Sequence, residues 1–425
     1  MSGHPARKTF DPRRALPHTP SVPAFRGYSI ALVTVIAVTS LVSLAVNTTV
    51  NPWRVTPMPW SSQKLDPYRD ISSQIRTGKA GIVRANPKID VGLVGSSRVA
   101  NGLDPEFSGW QHQSVVNLGC SGGFIYESTA LARYLMAERK VGLILFGVDP
   151  GDLSSKTDTR PMGDYHASPL AGNEDHFNRE IRYMIGVSTF EASLETLKRA
   201  SRHEQTQYSP KGLRAHPKKK GQRSQLDFIK ARIQGEAEFD VPDTSKPAVN
   251  PDKARVLEDL MRDARSRGVR LITFIHPTHA LMNARAADAA NPPVVFEHER
   301  RAVLELAQKV NVETFEGPPI EVWDFADYHP LNCDPLPQDR ESTMPHWGDL
   351  GHYSIEVGNA IQSRIMNWPT PIPGSENYGA KLTAETIEPW FNHVREGYKA
   401  YLTGPGVGDV ARKEQWIAEG EAKKK

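Results

Sequence analysis

Short and nearly uninterrupted apolar runs recur along this chain, and they constrain its fold more than any other feature. The clearest run is VGLILFGV at residues 141–148, and VRLITFI follows at residues 269–275. A strand that is apolar on both faces needs cover on both faces, which is typical of a parallel sheet lying between helices. Helical patterns separate the runs, so the alternation predicts a three-layer α/β/α fold around a mostly parallel sheet. Further strands are expected at 91–94, 115–118 and 320–328, and helices at 66–85, 126–138, 251–267, 296–310, 351–366 and 384–401.

One segment is apolar in a different way. From Tyr28 to Val46 no residue is charged, and the run is about as long as the hydrocarbon core of a bilayer requires. Arginine and lysine dominate the residues before it, so the positive-inside rule predicts a single-pass anchor with a cytoplasmic N-terminus. A cleaved signal peptide is the alternative, because Ser43-Leu44-Ala45 fits a small-x-small cleavage pattern. A buried core helix is disfavoured because the run has no polar face.

These patterns divide the chain into a few regions. The regions are a cytoplasmic disordered tail at 1–26, a transmembrane anchor at 27–47, an extended linker at 48–65, an extracytoplasmic domain at 66–372 with an insertion at 152–249, and a helical extension with a polar tail at 373–425.

The net charge bears on the class of partner, and the cysteine content bears on the compartment. The net charge is +3, which is too small an excess to favour a dedicated nucleic-acid binder. The basic run RAHPKKKGQRSQ at 214–225 is therefore interpreted as a solvated part of the insertion. Cys120 and Cys333 are compatible with an oxidising compartment, where they form either a disulfide or two buried free thiols.

A small polar turn follows the first predicted strand. Gly95-Ser96-Ser97 comes directly after the apolar run at 91–94. A serine nucleophile also needs a base, a group that orients the base, and donors for an oxyanion. Near the end of the domain, Asp349 and His352 stand three residues apart in WGDLGHYS, so one short loop supplies both a carboxylate and an imidazole.

Several blocks together resemble the SGNH (GDSL-type) hydrolase superfamily. The blocks are LVGSSRVANGLDPEFSGW, VVNLGCSGGFIYE, LILFGVDP, FIHPTHALM, VWDFADY and WGDLGHYSIEVGNAI, within residues 66–150 and 250–367. These sequence blocks are similar to those of a group of membrane-anchored bacterial members. That group resembles the envelope proteins that handle D-alanyl groups of teichoic acid or acetyl groups of alginate. The resemblance implies a flavodoxin-like SGNH domain in the periplasm, anchored to the bacterial inner membrane.

The resemblance also assigns roles to single residues. Ser97 takes the place of the nucleophile, His352 that of the general base, and Asp349 that of the carboxylate that orients the base. Gly119 takes the place of an oxyanion donor through its N–H, together with the N–H of Ser97, and Asn117 is a further candidate donor. No cofactor is implied, and no His pair has the spacing of metal ligands on one helix.

The third block departs from the family pattern. The family usually has an asparagine there that completes the oxyanion site, whereas this chain has Asp149 before Pro150. An ionised carboxylate cannot donate a hydrogen bond and repels a developing oxyanion. Either Asp149 is protonated, or Asn117 or Arg98 substitutes, or the site is not a hydrolase of the usual kind. Asp149 is equally interpretable as an ordinary turn residue.

Asp149 and three more residues are candidate substrate-binding groups. His276 and His279 follow a predicted strand and either line the cleft or cap the next helix, and Arg98 either binds an anionic group or lies on the surface. The leading hypothesis is a serine esterase or O-acyl(acetyl)transferase acting on an envelope or exported polysaccharide, with polysaccharide-pathway membrane proteins as possible partners. The alternative is a non-catalytic scaffold factor of such a pathway.

Overall fold

The computed structural model describes residues 22–56, 58–154, 160–172, 176–215, 223–236 and 248–423. Most of the predicted cytoplasmic tail, the core of the basic run (216–222) and the last two lysines lie outside these residues. The helices are α1 Val22–Val50, α2 Ile75–Ala85, α3 Ser97–Gly102, α4 Ile125–Glu138, α5 His176–Ile185, α6 Val187–Arg202, α7 Gln225–Glu236, α8 Pro251–Ser266, α9 Glu297–Asn311, α10 Ile355–Met366, α11 Ile387–Thr403 and α12 Val407–Ala422. The strands are β1 Val91–Val94, β2 Val115–Asn117, β3 Leu143–Val148, β4 Arg270–Ile275, β5 Glu321–Asp324 and β6 Ala380–Leu382.

The strands form one six-stranded sheet in the order β2-β1-β3-β4-β5-β6. The first five strands are parallel and β6 is antiparallel to β5. The predicted mostly parallel α/β architecture is therefore confirmed. The chain order reverses direction between β1 and β3, which is the switch point of a flavodoxin-like sheet.

A hydrophobic core lies on each face of this sheet. Alternate side chains of β3 divide between the two cores, with Ile144 and Phe146 in one and Leu143 and Leu145 in the other. This distribution explains why the apolar run at 141–148 is nearly uninterrupted, since both faces are covered.

The segment between α1 and β1 differs from its predicted form. The expected extended linker is packed rather than free, because Val50, Trp53 and Val55 are all buried. A side chain at Gly81 of α2 would collide with the Trp53 carbonyl, so the two segments are in close contact. The predicted helix at 66–85 is shorter than expected and begins at Ile75, since a separate 3-10 turn containing a proline precedes it.

The C-terminal extension is more structured than its polar composition suggested. Residues 380–382 add the edge strand β6 to the sheet. What we expected to be a polar tail forms α12, which packs against α7 of the insertion. Trp416 is buried there, and Gly420 allows close approach because a Cβ would meet the Gln234 carbonyl at 2.6 Å.

The N-terminal helix has the length and composition of a membrane span. α1 contains a span at Phe25–Val50 that is long and apolar enough to cross a membrane. Its most apolar window has a mean hydropathy of 2.4 and is not buried in the domain.

The two cysteines are not joined by a disulfide. Cys120 is buried and Cys333 is half-buried, and both are free thiols. The interpretation as two free thiols therefore fits the structure, and burial raises the pKa of each thiol to about 12.

Candidate active site

The candidate site lies at the switch point of the sheet. Ser97 follows β1 and begins α3, while Asp149 follows β3, the strand beside it. The carboxyl ends of parallel strands open a crevice where the order reverses, and ligands of such sheets bind there. The topology therefore brings together two residues that are far apart in sequence.

Three of the predicted residues form a continuous hydrogen-bonded chain. Ser97 Oγ lies 2.8 Å from His352 Nε2. His352 Nδ1 lies 2.8 Å from Asp349 Oδ2 and 3.0 Å from Oδ1. Because a carboxylate only accepts, His352 donates through Nδ1–H, and its Nε2 is left to accept the Ser97 hydroxyl proton. The arrangement is that of a nucleophile, a base and a group that orients the base.

The loop before α10 folds around the Asp349 carboxylate. Its Oδ1 accepts the N–H of Gly351 at 2.6 Å and that of His352 at 3.0 Å. Burial alone would raise the pKa of Asp349, but the hydrogen bond and charge of His352, the Gly351 N–H and the nearby Arg232 outweigh burial and lower it to about 2. Asp349 is therefore ionised and holds the imidazole in one orientation.

Arg98 connects this loop to the end of β3. Its Nε donates to the Gly351 carbonyl at 2.7 Å, and its Nη1 lies 2.8 Å from Asp149 Oδ1. Both partners of the ion pair are largely buried. Arg98 is thus neither a free surface arginine nor an unpaired anion receptor, because its charge is matched by Asp149.

The pairing clarifies the state of Asp149. Burial would raise the pKa of Asp149, but the charge of Arg98 and hydrogen bonds from Ser96 and Arg98 lower it below its ordinary value. Asp149 is therefore ionised, and the alternative of a protonated donor is not supported. Its charge is compensated by Arg98 instead of facing the site uncompensated.

The predicted oxyanion role of Asn117 is wrong in this structure. Asn117 is completely buried, and its Nδ2 donates to the carbonyls of Val99 and Leu103 at 2.7 and 2.8 Å. Its Oδ1 accepts the Gly119 N–H at 2.9 Å, so the donor expected from Gly119 is occupied too. A Cβ at Gly119 would lie 2.2 Å from the Ala100 nitrogen, so this glycine is required by close packing on α3.

Ser97 retains the other expected donor. As the first residue of α3, it has an N–H that no intrahelical carbonyl can accept. The neighbouring Arg98 N–H is capped by Ser96 Oγ at 3.2 Å. Ser96 is therefore the helix cap, and Ser97 is the serine whose hydroxyl reaches the histidine.

The structure places the two strand-following histidines differently. His276 is fully buried beside the site, with Nδ1 3.0 Å from the Tyr353 hydroxyl and Nε2 3.8 Å from Asp149. Burial lowers the pKa of His276 to about 3, so it is neutral near pH 7. His276 therefore supports the wall behind Asp149 and has no exposed surface to line an open cleft.

His279 does not contribute to the cleft at all. It is fully buried, its Nδ1 accepts the Leu281 N–H at 3.2 Å, and its Nε2 donates to the Asp334 carbonyl at 2.8 Å. The cleft-lining interpretation is wrong for His279, and the alternative, a cap of the following turn, is confirmed.

One arginine and one histidine-carboxylate pair were not assigned a role from the sequence. Arg232 on α7 lies 3.8 Å from Asp349 Oδ1, so the insertion reaches the candidate site. A second histidine-carboxylate pair joins His346 Nδ1 to Asp334 Oδ1 at 2.8 Å. Neither has a sequence signal, since both pairings join residues that are distant in the chain.

Comparisons with known proteins do not assign this chain to a family. No protein-family model matches the chain, and no curated protein matches it either. Within the described ranges, no group of three or more His, Cys, Asp or Glu side chains is placed to hold a metal ion. The functional argument therefore rests on the arrangement of the side chains.

Proposed function

We propose that this protein is a serine esterase or O-acyltransferase that uses Ser97 as its nucleophile. The observation that carries the proposal is the chain of contacts from Ser97 Oγ through His352 to Asp349, with distances of 2.8 Å at each step. Ser97 and His352 are only partly buried, so a substrate carbonyl can approach the hydroxyl. The SGNH-like three-layer arrangement is part of the same proposal.

The first half-reaction forms an acyl-enzyme. Ser97 Oγ attacks the ester carbonyl while His352 Nε2 takes the hydroxyl proton. The new C–O bond gives a tetrahedral oxyanion, which then collapses and expels the ester alkoxide, and His352 gives the proton to that alkoxide. Asp349 stays ionised and stabilises the imidazolium that exists between the two proton transfers.

The second half-reaction releases the acyl group. His352 takes a proton from water, or from a sugar hydroxyl, and the resulting oxygen attacks the acyl carbonyl. The Ser97 oxygen leaves and recovers the proton from His352. Water gives hydrolysis and a hydroxyl gives transfer, and both outcomes use the same three side chains.

Of the donors first expected for the oxyanion, Asn117 and Gly119 are occupied by other hydrogen bonds, so a different set is needed. The Ser97 N–H is one, because the first N–H groups of a helix lack internal acceptors. The Arg98 guanidinium is the nearest positive charge on the same helix, and its pairing with Asp149 limits the repulsion that a bare carboxylate would exert. This set is sparser than a dedicated backbone nest.

Location and substrate class follow from the anchor and the resemblance. A membrane-spanning α1 with basic residues before it supports a single-pass inner-membrane protein whose domain lies in the periplasm. An ester-bearing envelope or exported polysaccharide is the substrate class we propose there. Neighbouring membrane proteins of the same pathway are the proposed partners.

Labelling with a fluorophosphonate tests the nucleophile. This reagent reacts with activated serines, so we expect the full chain in detergent to form an adduct that mass spectrometry maps to Ser97 and not to Ser96. Ser97→Ala is expected to abolish the adduct. An intact and folded protein that forms no adduct, or one that forms it equally well as Ser97→Ala, would contradict the enzyme proposal and favour the scaffold alternative.

A further inference from the structure

The helix α6 has its polar and apolar faces in unexpected positions. Its buried face consists of small hydroxyl residues, Thr189, Ser193 and Thr196. Three of its large apolar side chains are exposed, Val187 at 73%, Leu194 at 48% and Leu197 at 41%, whereas Phe190 is half-buried. A helix on the surface of a water-soluble domain normally buries its apolar stripe, whereas α6 leaves Val187 and Leu194 exposed beside the exposed Glu191.

The neighbouring helix α5 packs against α6 and also has exposed apolar side chains. Phe177 is 75% exposed and Ile185 is 40% exposed. We call α5 and α6 together the apolar hairpin. Contiguous exposed apolar patches on a protein mark an interaction site rather than ordinary surface.

The apolar hairpin is joined to the end of α1. Asn47 Nδ2 donates to the carbonyls of Met184 and Gly186 at 3.1 and 3.3 Å, and Ser193 Oγ lies 3.0 Å from Asn47 Oδ1. The turn between α5 and α6 therefore lies at the level of Asn47, directly after the charge-free run of α1. Both helices pack against α1.

The packing also begins before the charge-free run ends. Leu41 and Val42 are exposed, whereas Leu44 and Val46 are half-buried. At 1.5 Å per residue, the distance from Leu44 to Asn47 is about 5 Å along the helix axis. The apolar hairpin thus overlaps the outer end of the membrane span by about the depth at which interfacial amphipathic helices lie.

From this continuity we infer that the apolar hairpin is embedded in the outer lipid interface of the membrane that α1 spans. Val187, Leu194 and Phe177 contact lipid, while the hydroxyl face of α6 contacts protein. One helix leaves a domain free to tilt and rotate, and a second lipid contact fixes its orientation. The inference depends on α1 being a retained anchor and is independent of any chemistry at Ser97.

Spin labels report the depth of these positions in the full chain. Val187→Cys and Leu194→Cys are labelled with a nitroxide on a Cys333→Ser background and reconstituted into phosphatidylcholine–phosphatidylglycerol vesicles. Val312→Cys is the matched control, since Val312 is 85% exposed and follows α9. Accessibility to oxygen, which partitions into lipid, is compared with accessibility to a water-soluble nickel chelate.

We expect the ratio of oxygen to nickel accessibility to be several-fold higher at the two hairpin positions than at Val312→Cys. A ratio at Val187→Cys equal to that of the control places the hairpin in water and overturns the inference. Low accessibility to both reagents places it against protein, which also overturns it; relief of spin–spin broadening by unlabelled chain would then identify a second copy as the occupant.

Discussion

Two histidine-carboxylate pairs lie near each other in sequence and have nearly the same local geometry. In each pair the ring Nδ1 lies 2.8 Å from a carboxylate oxygen, for His352 with Asp349 and for His346 with Asp334. In each pair the carboxylate also accepts the backbone N–H of the same histidine. The two imidazoles are equally accessible, at 30% and 29% side-chain exposure.

The difference lies in the third partner. In the first pair, His352 Nε2 lies 2.8 Å from the Ser97 hydroxyl. In the second pair, the backbone carbonyl of Asp334 accepts a hydrogen bond from His279, so the additional contact of that pair is structural. An oriented imidazole is therefore not in itself evidence of catalysis. What distinguishes the candidate site is a hydroxyl at the free nitrogen, placed there by the end of β1.

The largest expected effect comes from exchanging each carboxylate for an amide. Asp349→Asn turns an N–H toward His352 Nδ1 and forces the proton onto Nε2, so we expect kcat for a p-nitrophenyl ester to fall by about 10⁴. Asp334→Asn makes the same change at His346 and is expected to cost about 1–3 kcal/mol of stability with kcat nearly unchanged. Equal losses of kcat in the two variants would contradict the assignment.

A second test concerns Arg98, which contacts the loop of His352 through the Gly351 carbonyl. Arg98→Met leaves Asp149 charged, buried and unpaired, and we expect it to lower the free energy of unfolding by about 3–5 kcal/mol. The double variant Arg98→Met/Asp149→Asn removes both charges and is expected to lose less than the sum of the two single variants. Denaturant unfolding in detergent measures all four proteins, and strictly additive losses would show that the ion pair does not couple the two residues.

A smaller effect is expected at His276, which has no carboxylate within hydrogen-bond distance. Burial lowers its pKa to about 3, whereas the unfolded chain has the ordinary value near 6.5. Only the unfolded state gains the proton between these values, so the His276 contribution to stability is present above about pH 6.5 and falls at lower pH by up to about 1.4 kcal/mol per pH unit. His276→Gln should have a shallower acid-side slope of unfolding free energy, and an unchanged slope would show that the native state does not lower the pKa of His276.

The features that the sequence predicted are those that depend on neighbouring residues. The apolar runs predicted the parallel sheet, and the spacing of Asp349 and His352 predicted their contact, because both signals are local. The Gly119 N–H donates to Asn117 Oδ1, and no residue pattern in the sequence predicts this hydrogen bond. Arg232 and the His346–Asp334 pair depend on packing between distant segments, so a single sequence contains no signal for them.

The polar helix α12 was missed for a related reason. Many of its residues are charged, and Trp416 and Gly420 are buried on the helix that packs on α7. The hydroxyl-rich inner face of α6 is equally hard to predict, because it reverses the usual distribution of polar and apolar residues. Both helices obtain their stability from particular neighbours and not from composition.

The rate of fluorophosphonate labelling at Ser97 tests the central comparison most directly. It should be measured in the unmodified chain, in His352→Ala and in His346→Ala, with folding checked by thermal unfolding. We expect His352→Ala to lower the rate by about 10²–10⁴ and His346→Ala to leave it within a few-fold. Similar rates in His352→Ala and the unmodified chain would show that His352 does not activate Ser97, and would contradict the account.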